Sequence, residues 1–214
     1  MNESVCDLCW TNNNYCRYPR NNRAVFFEGS QGSGKTTLAR LTASSFGIEA
    51  RRGFPSGVEI IGANGNQSYI CNNAFEKVYD QRENSLTVFD RSPISQAAYL
   101  TRTKGKEYIP CVNNIVRCLQ LSSFYELIFF FIDASPEICF RRQDNESKYS
   151  LQNISEFKTE REVYKQIVTH LTHVNSPNLG IYYLNNGFEN KVDDLHQQVL
   201  KIIENNKKYA PRKN

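Results

Sequence analysis

The sequence of 214 residues predicts an α/β fold of three layers, a five-stranded parallel sheet covered by helices on both faces. Two observations lead to this prediction. Short segments rich in β-branched and aromatic residues are apolar on both faces, as in strands buried on both sides. Segments with the apolar spacing of amphipathic helices alternate with them, which is typical of βαβ units. The candidate strands are 24–28, 86–90, 127–133 and 181–184, with a weaker one near 48–51.

The helical segments are predicted from their apolar spacing. A helix over 36–46 follows the first strand, and others are expected over 67–81 and 110–123. The apolar faces of the last two helices consist of Ile154, Phe157, Tyr164, Ile167, Val168 and Leu171, and of Val192, Leu195, Val199, Ile202 and Ile203. Such faces are more typical of a packed core than of a functional groove.

Composition limits the class of protein. With 40% hydrophobic and 22% charged residues, the chain suits a globular protein. The longest apolar run, 127–132, is far shorter than the ~18 residues of a membrane span. The opening residues MNESVCDLCW lack the features of a secretory signal. We therefore expect an intracellular, cytoplasmic protein without membrane contact, and the net charge of +4 suits small anionic ligands better than a nucleic acid.

The domain organisation follows from where periodicity begins. Residues 1–22 are polar and Asn-rich and predict a flexible leader, whereas 23–214 predict a single domain. Cys6 and Cys9 have the spacing of metal ligands, but the three histidines lie far downstream. We interpret these cysteines, with Cys16, as part of the leader and leave their role open.

Residues 29–36 match the pattern G-x-x-x-x-G-K-[ST] at each fixed position. Glycine lets a backbone approach phosphate closely, and the loop N–H groups and the following helix N-terminus then bind the anion. The Lys35 ammonium suits the β and γ phosphates, and the Thr36 hydroxyl suits Mg²⁺. The sequence thus predicts ATP and Mg²⁺ as ligands. The predicted nucleotide-binding residues are Gly29, Ser30, Gln31, Gly32, Ser33, Gly34, Lys35, Thr36 and Thr37.

The strand at 86–90 ends in Asp90, Arg91 and Ser92. Ligands of open α/β sheets bind at the carboxyl ends of the strands. We expect Asp90 to hold Mg²⁺ together with Thr36, directly or through water. We expect Arg91 to contact the transferred phosphoryl group, because its planar guanidinium matches phosphate oxygens. The alternative is a surface ion pair at a strand end.

Four stretches carry a family resemblance: FFEGSQGSGKTT, NQSYICNNAF, FDRSPIS and FIDASPEICFRRQ. In this order and spacing they resemble the deoxynucleoside kinase family, including herpesvirus-type thymidine kinases, and more distantly the thymidylate kinases. With the order of elements they cover most of residues 23–206. The resemblance implies a P-loop kinase fold with a short lid at about 141–150.

The resemblance also implies site residues. It places Gln67 against the edge of the nucleobase, where a carboxamide supplies one donor and one acceptor. It makes Arg142 a lid arginine, adjacent to Arg141, that neutralises the transferring group. Further lid arginines are replaced by Glu146 and Lys148, which lowers the charge of this lid.

The resemblance also implies a general base. The family has a carboxylate at the end of the second strand, where it takes the proton of the 5′-hydroxyl. Glu49 and Glu59 are both candidates, and Glu49 is favoured because it lies in the weak strand. Glu28, at the end of the first strand, is expected to order the loop rather than take part in chemistry.

These inferences predict an enzyme that transfers the γ-phosphate of ATP to the 5′-hydroxyl of a deoxynucleoside, thymidine or another pyrimidine. The first alternative is thymidylate kinase, because RRGFP at 51–55 resembles the stretch with which such enzymes bind the acceptor phosphate, through Arg51 or Arg52. The second is a non-catalytic nucleotide-binding protein. The family resemblance also suggests a homodimer. Helix 110–123 could supply its contact face, and the alternative is that the apolar face of this helix is buried within the monomer.

Overall fold

The computed structural model describes residues 23–53, 86–105, 108–122, 126–143, 151–174, 176, 178–187 and 192–206. Within these ranges, no helix combines the length and the hydropathy of a membrane span. The described elements are β1 (Arg23–Glu28), α1 (Lys35–Ser45), β2 (Arg51–Arg52), β3 (Leu86–Asp90), α2 (Ile94–Lys104), α3 (Cys111–Ser122), β4 (Glu126–Asp133), α4 (Pro136–Arg142), α5 (Ile154–Thr172), β5 (Leu179–Asn185) and α6 (Val192–Asn205).

The described strands form one parallel sheet in the order β2-β3-β1-β4-β5. The five-stranded parallel α/β fold predicted from the sequence is thereby confirmed. The central strand β1 pairs with β3 on one side and with β4 on the other. All carboxyl ends therefore lie at one edge, which we call the carboxyl edge.

Both faces of the central strands β1 and β4 are buried, which explains their continuous apolar runs. Ala24 and Phe26 of β1 pack into the core formed with α2, α3 and α5. Val25 and Phe27, one residue out of phase, pack into the core formed with α1 and α6. The Phe26 ring stacks on rings from both neighbouring strands, each with a centroid distance of 4.8 Å. The central strand β1 is thus packed on both faces.

Two expectations about elements differ from the structure. The weak strand near 48–51 is β2, and its pairing to β3 begins only at Arg51. Helix α2 was not among the predicted helices, because Ser95, Gln96 and Thr101 are buried in it and interrupt its apolar pattern. The predicted helix 67–81, the leader 1–22 and lid residues 144–150 lie outside the described residues.

Helix α3 does not supply the apolar face proposed for a dimer. Val112, Ile115, Val116 and Leu119 are at most 1% exposed in the single chain. They pack with α2 and α5 against the sheet. These side chains are therefore unavailable to a second copy, and their amphipathic spacing reflects the monomer core.

Candidate phosphate-binding site

The carboxyl edge brings the phosphate loop and the Asp90-Arg91 segment together. Phe27 of β1 is in register with Asp90 of β3, and the Arg91 N–H donates to the Phe27 carbonyl at 3.0 Å. Residues 29–34 follow β1 directly and lead into α1, which begins at Lys35. Lys35 and Asp90 thus lie at the same edge of the sheet, as the sequence predicts.

The loop requires glycine for two separate reasons. Gly32 has a φ of 75° and Gly29 a φ of 139°, in the left-handed region that other residues rarely adopt. A Cβ on Gly29 would lie 2.4 Å from the carbonyl oxygen of Ile132, and one on Gly32 would lie 2.3 Å from that of Cys139. The loop is therefore packed against the end of β4 and against α4.

Lys35 is buried beneath this loop, only 4% exposed. Its Nζ donates to the Ser30 carbonyl at 3.1 Å. Burial and the nearby Arg91 lower the pKa of Lys35 to about 8, against the opposing effect of Asp90, Glu160 and Glu28. At neutral pH the ammonium is therefore still mostly charged, while it is desolvated and ready to pair with an anion.

Thr36 and Asp90 form a pair suited to a divalent cation. The Thr36 hydroxyl donates to Asp90 Oδ2 at 2.8 Å. Asp90 Oδ1 is buried, and no hydrogen-bond partner for it occurs among the described residues. A carboxylate oxygen and a hydroxyl oxygen are hard ligands of the kind that Mg²⁺ prefers. The two residues therefore fit the magnesium site expected from the sequence.

Arg91 is held in an unusual backbone conformation. Its φ of 75° is the only positive value of a non-glycine residue in the described part of the chain. Such a conformation costs about 1–3 kcal/mol and persists where the surroundings enforce it. Here the Arg91 N–H is bonded to β1 and its Nη1 donates to Ser95 Oγ at 3.4 Å. These two contacts hold the backbone and the guanidinium of Arg91 in place at the carboxyl edge.

Glu28 is bonded to the segment that follows Arg91. It is fully buried, and its carboxylate accepts from the Ser92 N–H at 2.6 Å, from the Ser92 hydroxyl, and from the Ser95 hydroxyl at 2.6 Å. Burial raises the pKa of Glu28, although the two serines and Arg91 act in the opposite direction. These bonds join β1 to the segment that carries Arg91, whereas the sequence predicts that Glu28 orders the loop.

Glu49 does not occupy the position expected of a general base. It is exposed and precedes β2, whose last residue, Arg52, is in register with Asp90. Glu49 therefore comes before the second strand and not at its end. The assignment failed because the pairing of β2 begins later than its apolar residues, Ile48 and Ala50, suggest. Glu59, the other candidate, lies outside the described residues.

Of the other predicted site residues, Arg142 and Thr37 lie within the described ranges and Gln67 does not. Arg142 is exposed at the end of α4, beside the loop that α4 contacts through Cys139. Thr37 is exposed on α1, one residue beyond the Thr36-Asp90 pair. Gln67, the predicted base-binding residue, lies outside the described residues, as do Glu146 and Lys148.

Two residues at this edge were missed by sequence reasoning. Asn186, just after β5, is 2% exposed and donates from Nδ2 to the Ser33 carbonyl at 2.6 Å. Its own N–H donates to the Asp133 carbonyl at 2.6 Å. Glu160 of α5 accepts from the Gln31 N–H at 3.3 Å through Oε2. Both contacts join segments more than a hundred residues apart and end on a backbone group, so no local pattern marks them.

Asn186→Ala should weaken ATP binding because it frees the Ser33 carbonyl inside the loop. A lost buried hydrogen bond of this kind corresponds to about 1–1.5 kcal/mol, or roughly a tenfold increase in Kd. Calorimetric titration with ATP and Mg²⁺ measures the change. Asn205→Ala, at an exposed position near the end of α6, is the control. Equal ATP affinity in the two variants would show that the Asn186 contact does not order the loop.

No protein-family model and no curated protein sequence matches the chain. Solved structures are similar in fold. The YorR protein of Bacillus subtilis, in complex with phosphorylated GDP, has 15% identity and a TM-score of 0.58 over 85% of this chain and 95% of that one. Deoxyadenosine kinase of M. mycoides with bound dATP has 16% identity and a TM-score of 0.57 over 85% and 99%.

The same M. mycoides enzyme with bound dCMP and dCDP gives a TM-score of 0.56 at 16% identity, over 85% of this chain and 98% of that chain. These similarities extend across nearly the whole of each solved chain. Together with the parallel sheet and the glycine-rich loop after β1, they show that this chain shares the α/β fold of these solved structures. At such low identity, they show the fold alone.

Proposed function

We propose that this protein transfers the γ-phosphate of ATP to the 5′-hydroxyl of a deoxynucleoside, a pyrimidine such as thymidine, and releases ADP. The observation that carries the proposal is the convergence of Lys35, Thr36 and Asp90 at one edge, with the Thr36 hydroxyl bonded to Asp90 at 2.8 Å. The similar M. mycoides deoxyadenosine kinase, crystallised with deoxynucleotides, supports this choice of acceptor class.

The residues at the carboxyl edge would have different roles in binding the phosphates. The N–H groups of the loop and the Lys35 ammonium bind the β and γ phosphates in a desolvated site, where charge interactions are strengthened. When bound, Mg²⁺ would neutralise charge on these phosphates, with Thr36 and Asp90 as its protein ligands. Arg91, fixed by its backbone and by Glu28, would hold the group in transfer in line with the acceptor.

The acceptor is expected beyond Arg91, next to the edge strand β2. Gln67 stays the predicted contact to the nucleobase edge, on the basis of the sequence resemblance. Arg142 stays the predicted lid arginine, since α4 packs against the loop that would bind the phosphates. Both roles contribute positioning and charge neutralisation, which dominate phosphoryl transfer.

One observation favours a second acceptor class, a nucleoside monophosphate. Arg51 and Arg52 form the exposed strand β2, and Arg52 is in register with Asp90. Two cations beside the reacting edge suit an acceptor phosphate. An acceptor that is already a phosphate also needs no general base, and Glu49 is not placed to act as one.

The wild-type protein should phosphorylate a nucleoside when mixed with ATP and Mg²⁺. The acceptor panel consists of thymidine, deoxycytidine, deoxyadenosine, deoxyguanosine, dTMP and dCMP, each assayed separately by ADP release and by chromatography of the product. We expect the highest kcat/KM with thymidine or deoxycytidine.

Each other result has a defined meaning. Turnover with dTMP or dCMP alone would replace the proposal by the monophosphate kinase. ATP binding without transfer to any acceptor would exclude both kinases and favour a non-catalytic nucleotide-binding protein. Preference for a purine nucleoside would keep the reaction and contradict the predicted base.

A further inference from the structure

We propose that Glu160 is the general base of this reaction, the group that receives the proton of the acceptor hydroxyl. The inference rests on the proposed function, because only a hydroxyl acceptor has a proton to lose. In the step, the acceptor 5′-oxygen forms a bond to the γ-phosphorus while its O–H bond breaks and the proton passes to the Glu160 carboxylate. The bond from γ-phosphorus to the β,γ-bridging oxygen breaks, and ADP leaves with that electron pair.

The position of Glu160 supports this role. Its Oε2 lies 3.3 Å from the N–H of Gln31, the third residue of the phosphate loop. Glu160 is near enough to Lys35 and Arg91 for its charge to affect the pKa of both. Glu160 thus lies at the phosphate loop, within electrostatic range of Lys35 and Arg91.

The helix that carries Glu160 faces the reacting edge. One turn further along α5, the Tyr164 hydroxyl lies 3.5 Å from Glu28 Oε2. Residues i and i+4 of a helix lie on one face. This face of α5 thus contacts the phosphate loop through Glu160 and the Glu28 carboxylate through Tyr164.

The other acids described at this edge are committed elsewhere. Asp90 accepts from Thr36, and Asp133 is bonded through both carboxylate oxygens to Arg161, at 2.7 and 2.6 Å. Glu28 is fully buried and held by serines. Glu160 is only partly buried, and among the described residues the Gln31 N–H is the one hydrogen-bond partner found for it. A general base must be accessible to the bound substrate, and Glu160 is partly exposed.

Glu160→Gln separates proton transfer from support of the loop. The Gln side-chain oxygen can still accept from the Gln31 N–H, so the loop keeps its contact, but the amide cannot take a proton. General-base catalysis contributes about 10²–10⁴-fold, so kcat with the preferred deoxynucleoside should fall at least ~100-fold. The Kd for ATP and the melting temperature should change little. Glu162→Gln, at an exposed site paired with Lys165, should keep the wild-type kcat.

Chemical rescue gives a second measurement. Formate added to Glu160→Ala should raise kcat in proportion to its concentration, because a small carboxylate can replace the missing base. A residue that only supports the loop would not be rescued by formate, and such a result would overturn the proposal. A Glu160→Gln variant that keeps at least a third of the wild-type kcat would also overturn the proposal. If that variant in addition binds ATP more tightly, Glu160 acts only by repelling the phosphates.

The wild-type acceptor panel distinguishes the two possible failures. If wild-type protein phosphorylates a nucleoside and Glu160→Gln does so equally well, the base assignment is wrong and the proposed function stands. If wild-type protein transfers phosphate only to dTMP or dCMP, the nucleoside kinase proposal is wrong, and the base assignment is wrong with it.

Discussion

Lys35→Met should reduce phosphoryl transfer by on the order of 10³-fold or more, the largest effect expected of any single substitution in this chain. The Lys35 ammonium is buried and already desolvated, and its Nζ is bonded only weakly, to the Ser30 carbonyl at 3.1 Å. Met has a similar length and packs in the same space, but it brings no charge to the β and γ phosphates. The loss should therefore appear as low kcat in a folded protein, measured by ADP release and by thermal melting.

Lys201→Met, exposed on α6, is the matched control and should keep full activity. The pH profile gives a further check on the same residue. Because the pKa of Lys35 is lowered to about 8, the free protein loses this charge as pH rises above that value. In wild type, kcat/KM for ATP should therefore fall on the alkaline side, and a Lys35→Met variant with wild-type kcat would contradict the assigned role.

Asp90→Asn should lower kcat by about 10²- to 10³-fold, because it removes a negative charge from the proposed cation site. The Asn side chain can still accept from the Thr36 hydroxyl through its oxygen, so the contact at 2.8 Å need not be lost. In wild type the other carboxylate oxygen, Oδ1, is buried and lacks a partner among the described residues. In the variant an NH₂ group takes its place, and an NH₂ group repels a cation.

The measurement that identifies the cause is the dependence of turnover on Mg²⁺ concentration. In Asp90→Asn, half-maximal activity should require markedly more Mg²⁺ than in wild type, and saturating Mg²⁺ should restore part of the rate. Asp194→Asn, exposed in the first turn of α6, should follow the wild-type curve. An Asp90→Asn variant with the wild-type Mg²⁺ curve would show that Asp90 has no part in metal binding.

The fold could be predicted from the sequence because burial of both sheet faces leaves a clear pattern. The interiors of β1 and β4 are continuous apolar runs, and the glycine pattern after β1 specifies a loop with positive φ. The placement of Asp90 beside Lys35 followed from topology, since the carboxyl ends of parallel strands share one edge.

What the sequence did not reveal depends on contacts between distant segments. The contact from Glu160 to Gln31 and the contact from Asn186 to Ser33 each end on a backbone group, for which no residue type is diagnostic. Glu49 was assigned to β2 because its neighbours Ile48 and Ala50 are apolar. Apolar residues next to a short edge strand do not show where its hydrogen bonding begins, and here the pairing begins at Arg51. Helix α2 was missed because the buried residues Ser95 and Gln96 interrupt the apolar pattern of its core-facing side.

The most direct test of the account follows the terminal phosphoryl group of ATP itself. ATP labelled in the γ-phosphate is incubated with wild-type protein, Mg²⁺ and each deoxynucleoside, and the products are separated. We predict label in the 5′-monophosphate of a pyrimidine deoxynucleoside, with one ADP formed for each product molecule, and labelling by Lys35→Met that is slower by on the order of 10³-fold or more. Label that stays in ATP or appears only as inorganic phosphate, whatever acceptor is supplied, would contradict it.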